Sequence, residues 1–159
     1  MKTFQLIFVF SLMAFMMSCG GKQEQSLTQK DNDAIEKYLD ENVMNPEFGG
    51  KVFSASEIFE TSDDKIYLWA YLQEYYKKDN ALQTGSGWSV PIVLSVECST
   101  EGLKILNHKV PGDGENYSND IKSMFPEDIQ QKIFDFSGTE SIPKLEKNSK
   151  ERAEKYFSL

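Results

Sequence analysis

The sequence predicts an α+β fold, a roughly four-stranded antiparallel sheet with an N-terminal helix and two C-terminal helices. Three observations carry this. Residues 31–43 place apolar side chains at helical spacing, residues 52–110 hold four strand-like runs, and helical spacing returns after Val110. Helices at both ends of an unbroken set of strands define the class.

In the first helix Ala34, Ile35, Tyr38, Leu39 and Val43 follow the i, i+3, i+4 rule, Thr28 or Asp31 supplies a cap, and Asn45-Pro46 ends the run. Val52 to Phe59 is the first strand, and Ser62 to Lys65 a turn. Ile66 to Tyr76 is the second strand, followed by a polar loop over Lys77 to Gly87. Trp88 to Cys98 is the third strand; Pro91 inside it argues for an edge or a bulge. A turn at Ser99 to Gly102 leads to the fourth strand, Leu103 to Val110. Short connections of this kind join antiparallel neighbours, so a meander is the simplest topology. Asn119 to Phe125 forms one or two helical turns. Pro126-Glu127-Asp128 then opens a helix with Ile129, Ile133 and Phe134 inward, since proline suits the first turn and acids its dipole. Pro143 opens the last helix, with Leu145, Ala153, Tyr156 and Phe157 inward.

The second strand is apolar on both faces. Ile66, Leu68, Ala70 and Leu72 share one; Tyr67, Trp69, Tyr71 and Tyr75 share the other. A helix covers such an aromatic face, or it forms a platform for a sugar, peptide or other flat ligand, which Trp88 would border. Asp113, Gly114, Glu115, Tyr117 and Asp120 mark a second candidate, an oxygen-rich loop with glycines at 112 and 114 that suggest positive φ. Its spacing does not match a calcium-binding helix–loop–helix, and a strand-to-helix turn accounts for it, so no metal is assigned. His108 is the sole histidine, suited to a base or to a half-buried structural role. Gly85-Ser86-Gly87 reads as flexible. No phosphate loop, dinucleotide fingerprint, nucleophile elbow or zinc motif occurs, and neither a catalytic residue nor a cofactor is assigned.

Residues 1–18 have the layout of a secretory signal: Lys2, then an apolar run from Phe4 to Met17. Its 14 residues span about 21 Å as a helix, short of the roughly 20 residues a bilayer crossing needs. Met16-Met17-Ser18-Cys19 resembles the lipobox of bacterial lipoproteins, which implies a diacylglyceryl thioether at Cys19 and palmitate on the mature chain. Residues 19–29 then form the lipid anchor and a polar tether, and 30–159 a single domain in the cell envelope, facing the periplasm or the cell exterior. Removing residues 1–18 takes the net charge from −8 to −9. Such acidity disfavours nucleic acid as a partner. With Cys19 lipidated, Cys98 has no internal disulfide partner, and its place at the end of an apolar strand predicts burial.

Residues 66–126 also resemble an uncharacterised bacterial domain of small lipoproteins and of extracytoplasmic parts of BlaR-like membrane sensors. The carriers are Tyr67-Leu68-Trp69-Ala70-Tyr71, Ser86-Gly87 with Pro91, and the pattern Pro111-x-Asp113-Gly114-x-x-Tyr117-x-x-Asp120-Ile121-x-x-x-Phe125-Pro126. The resemblance implies an extracytoplasmic place and brings no assigned activity. The expected function is a membrane-tethered binding or sensor-accessory module for a protein, peptide or sugar. The alternatives are an extracytoplasmic hydrolase using His108 and loop carboxylates, and a structural envelope protein.

Overall fold

A computed structural model describes residues 27–99, 102–137 and 139–159. Cys19, the signal segment and most of the tether lie outside the described residues. The elements are α1 (Gln29–Asn42), β1 (Lys51–Thr61), β2 (Lys65–Lys78), β3 (Ala81–Ser99), β4 (Gly102–Lys109), a 3-10 turn (Gly114–Asn116), α2 (Tyr117–Met124), α3 (Glu127–Phe136) and α4 (Ser141–Phe157). The strands form one antiparallel meander in the order β1-β2-β3-β4, and the class is α+β as the sequence predicts. Three helices follow the sheet rather than two, because the short segment after the 113–116 loop completes two turns.

Helix α1 begins where side-chain chemistry dictates. The Thr28 hydroxyl accepts from the Asp31 N–H and the Asp31 carboxylate accepts from the Thr28 N–H, a reciprocal capping box. Leu27 packs on the core beside it, so the folded body takes in residues 27–29, which the sequence places in the tether. Ile35 and Leu39 then press onto the sheet face made by Ile66, Leu68, Ala70, Leu72, Ile92, Leu94 and Val96.

Helices α2 to α4 cover the opposite face. Ile121, Phe125, Ile129, Ile133, Phe136 and Leu145 pack on Ala55, Tyr67, Trp69 and Val93. The inward residue late in α3 is Phe136, not Phe134, which is exposed: Ile129, Ile133 and Phe136 fall on one stripe at i, i+4, i+7. In α4 Leu145, Ser149 and Ala153 face inward, and Tyr156 lies on the surface against Lys51. Among the described residues no helix is long and apolar enough to cross a membrane.

Residues 77–87 are not a loop. β2 and β3 continue through them and turn at Asp79-Asn80, both at positive φ (49° and 61°), as a tight two-residue hairpin requires. The polar sequence is explained by a bulge between Gln73 and Tyr75. There the Gln73 side-chain amide donates to the carbonyls of Gly85 (3.0 Å) and Ser86 (2.9 Å). Glu74, fully buried, accepts from the N–H groups of Glu47 (2.9 Å), Phe48 (2.9 Å) and Gly50 (2.8 Å) and from the Ser86 hydroxyl (3.0 Å). The glycines of the Gly-Ser-Gly triplet serve close approach, not flexibility. A Cβ on Gly85 would meet the Glu74 carboxylate, and one on Gly87 the Gln73 amide.

Candidate functional site

The aromatic face is not an open platform. Tyr67, Trp69 and Tyr75 are buried: Tyr67 lies against Phe125, Trp69 against Phe136, and Tyr75 against Phe53 beneath α4. Tyr71 is half-buried and donates to Gln73 Oε1 (3.2 Å). Burial, with Glu146 nearby, pushes its hydroxyl up to about 12. The helices cover these rings because removing so much aromatic surface from water is the main return on packing them. Trp88 does not border this face. Its cross-strand partner is Leu72, which places it on the α1 side, and there it remains 44% exposed.

Cys98 is exposed, contrary to the sequence expectation. Glu97, Cys98 and Ser99 are all exposed at the end of the β3–β4 hairpin. Folded protein is therefore expected to react with a thiol reagent at the rate of an unfolded peptide thiol. Protection by more than about tenfold in a colorimetric assay would contradict this placement.

His108 stands 3.0 Å, Nδ1 to hydroxyl, from Tyr38 of α1, in an edge-to-face ring contact, and burial pushes its pKa down. Its hydrogen-bond partner is thus a tyrosine, not Asp113 or Glu115.

The 111–120 loop is shaped by two backbone facts. Gly114 has φ +66°, and the Gly112 N–H donates to Asp120 Oδ2 (2.8 Å), tying the start of the loop to α2. Only Gly114 of the two glycines has positive φ; a Cβ on Gly112 would sit 3.1 Å from that carboxylate oxygen, which would have to give way slightly. Tyr117 is half-buried against the α2–α4 core, and burial raises its hydroxyl pKa. Glu115 points to solvent. Among the described residues no three His, Cys, Asp or Glu side chains gather as metal ligands.

Where this loop leaves β4, it meets β3 in a cleft of about 390 Å³ lined by Trp88, Ser89, Val90, Val110, Pro111 and Asp113. Val90, Val110 and Pro111 provide apolar surface, Trp88 an indole and Asp113 the one charge. Ser89 is fixed, its hydroxyl accepting from the Trp69 indole N–H (2.9 Å). An indole on a strand and a carboxylate on the loop that lines the same cleft suit a cationic or extended ligand. Trp88 and Asp113 were each singled out in the sequence, in separate constellations; the structure brings these two together and leaves the other candidates apart.

No family model matches the chain, and no significant match is found among curated proteins or solved structures.

Proposed function

We propose that the chain is an extracytoplasmic lipoprotein, anchored to a bacterial membrane through Cys19, that works as a binding module through the Trp88–Asp113 cleft. The observation that carries the binding reading is Trp88: a large indole left 44% exposed in the cleft that Asp113 also lines, on a sheet whose other large aromatics are buried or half-buried. Tryptophan is enriched among the residues that carry binding energy once a partner covers them, and here it lines a cleft with a carboxylate. The anchor reading rests on the resemblance of Met16-Met17-Ser18-Cys19 to a lipobox and on the apolar run before it. Two acyl chains on one cysteine give stable membrane retention.

Cys19→Ser is expected to move the full chain from the membrane to the soluble fraction and to abolish palmitate labelling. Retention of either property in the variant would refute the anchor.

A further inference from the structure

We infer that the open edge of β3, residues Ala81 to Val90, takes up an extended peptide segment as an added strand, with a basic side chain of that peptide seated between Trp88 and Asp113. The inference rests on the binding reading of the cleft and names its partner class.

The sheet has outer edge on β1, on β4 and on the part of β3 that β4 leaves unpaired, and side chains reach backbone groups of the first two. On β1, the Ser54 N–H donates to Asp40 (2.7 Å), its carbonyl accepts from Arg152, and the Phe59 carbonyl accepts from Lys132 (3.1 Å). On β4, the Leu103 N–H donates to Asp31 (3.2 Å) and the His108 N–H to the Asn107 side chain (2.8 Å). In the third stretch the side chains that take backbone groups come from β2, Gln73 on the Gly85 and Ser86 carbonyls and Glu74 on the Ser86 N–H, and from Gln83 on the Leu82 carbonyl. β4 pairs with β3 only from Val93 to Ser99, so among the described residues no strand lies beside Ala81 to Val90 on that side.

This stretch also lacks the usual guards. Its sequence, ALQTGSGWSV, contains no lysine and no proline, the residues that normally blunt an edge, and no charge at all. Gly85 packs against Glu74 and the Phe48 ring and Gly87 against Gln73, so neither presents a side chain along the edge. Every residue in it is half-buried or exposed. Pro91 marks its limit, beyond which β4 takes over.

An added strand supplies main-chain hydrogen bonds along such an edge, and a pocket beside it selects a side chain. We take the incoming strand to run antiparallel to β3, as β4 does, entering at the cleft beyond Lys109 that Val110, Pro111 and Asp113 line. Asp113 is the only charged residue lining the cleft, the indole face favours a cation, and the chain is acidic overall. Lys77 and Lys78 pair with Leu82 and Ala81 at the far end of the stretch. The basic residue of the peptide therefore belongs near its N-terminal end, away from those lysines.

The test is selection of random dodecapeptides displayed on phage against the full chain, followed by fluorescence anisotropy with the enriched peptide. Enriched sequences are expected to alternate β-branched or aromatic residues behind an early Arg or Lys. Exchange of that residue for Glu, or Asp113→Asn in the protein, is expected to weaken binding about tenfold. N-methylation of alternate peptide amides is expected to abolish binding. If the methylated peptide binds equally well and still perturbs Trp88 emission, strand addition is overturned while the cleft reading stands. If Trp88→Ala, shown folded by circular dichroism, does not change binding, or nothing is enriched, both fail. A concentration-dependent dimer of the full chain that Trp88→Ala dissociates would assign the edge to a second copy and overturn the proposal.

Discussion

Glu74→Ala is expected to lower the unfolding free energy by about 3 kcal/mol or more, a large share of the roughly 5–15 kcal/mol typical of a domain. The reason is the number of donors that one carboxylate satisfies. The N–H groups of Glu47, Phe48 and Gly50 converge on it from the α1–β1 connection, and Ser86 approaches from the β3 bulge. Removing the carboxylate leaves these donors facing a void in which no residue side chain is left to accept. A Cβ on Gly50 would meet the Tyr75 carbonyl, so only glycine fits at this point of the connection. Burial by itself would raise the Glu74 pKa, but the three N–H groups and the Ser86 hydroxyl outweigh it and hold the carboxyl at about 2, below its ordinary 4.5. A carboxyl whose pKa is lowered by folding binds its proton more readily in the unfolded chain. Its contribution is therefore present above pH 4.5 and is lost as the pH falls from there toward 2. Urea unfolding followed by circular dichroism at pH 7, 4 and 3 measures this. The wild-type protein is expected to lose stability across that range, and Glu74→Gln, weaker at pH 7, to lose less. Equal acid sensitivity of the two proteins would mean that Glu74 is not the group responsible.

The elements were legible in the sequence wherever a single period ran uninterrupted. Helix α1 shows its stripe and its cap, and the alternation in β2 marks both of its faces. Residues 77–87 were misread because their strand character lies in backbone pairing and in Gln73 and Glu74, not in apolar alternation. Asp79-Asn80 was the available signal, since both residue types tolerate positive φ. The inward choice of Phe134 over Phe136 failed because two phenylalanines one residue apart, with aspartate between them, leave the helical phase ambiguous. Burial of the aromatic face follows from helices whose docking no local pattern specifies. The cleft was the least legible feature. Trp88 and Asp113 were each conspicuous, but their meeting depends on the register of β2 against β3 and on where β4 stops. Both are long-range facts, and a slip of one residue would have put Trp88 on the opposite face.

Arg152→Ala is expected to cost about 2–3 kcal/mol, and its loss together with Asp40 to open the β1 edge to association. α1 and α4 lie on opposite faces of the sheet, and Arg152 reaches around β1 to join them. Its guanidinium donates to Asp40 (2.8 Å), pairs with Glu36 (3.2 Å) and donates to the Ser54 carbonyl. Asp40 in turn accepts from the N–H and the hydroxyl of Ser54, both at 2.7 Å. The Asp40 side chain is only 8% exposed, so losing its cation strands a nearly buried charge. Arg152 itself is 31% exposed, which keeps the expected loss below that of a fully buried pair. Lysine is a poor replacement: it delivers one point charge where the fork contacts two carboxylates and a carbonyl, so Arg152→Lys is expected to recover less than half of the loss. Asp40→Ala combined with Arg152→Ala is expected to cost less than the two single changes added together, because each already forfeits the same pair. The second consequence separates this network from an ordinary surface ion pair. With Arg152 and Asp40 gone, both polar groups of the Ser54 backbone lose their partners on a strand of 11 residues, and another strand can supply them. Sedimentation of the double variant is expected to show association that rises with concentration while the secondary structure persists. A double variant that stays monomeric and loses less than about 1 kcal/mol would reduce the network to a surface contact and leave the protection of β1 to Lys132 and the helices beside it.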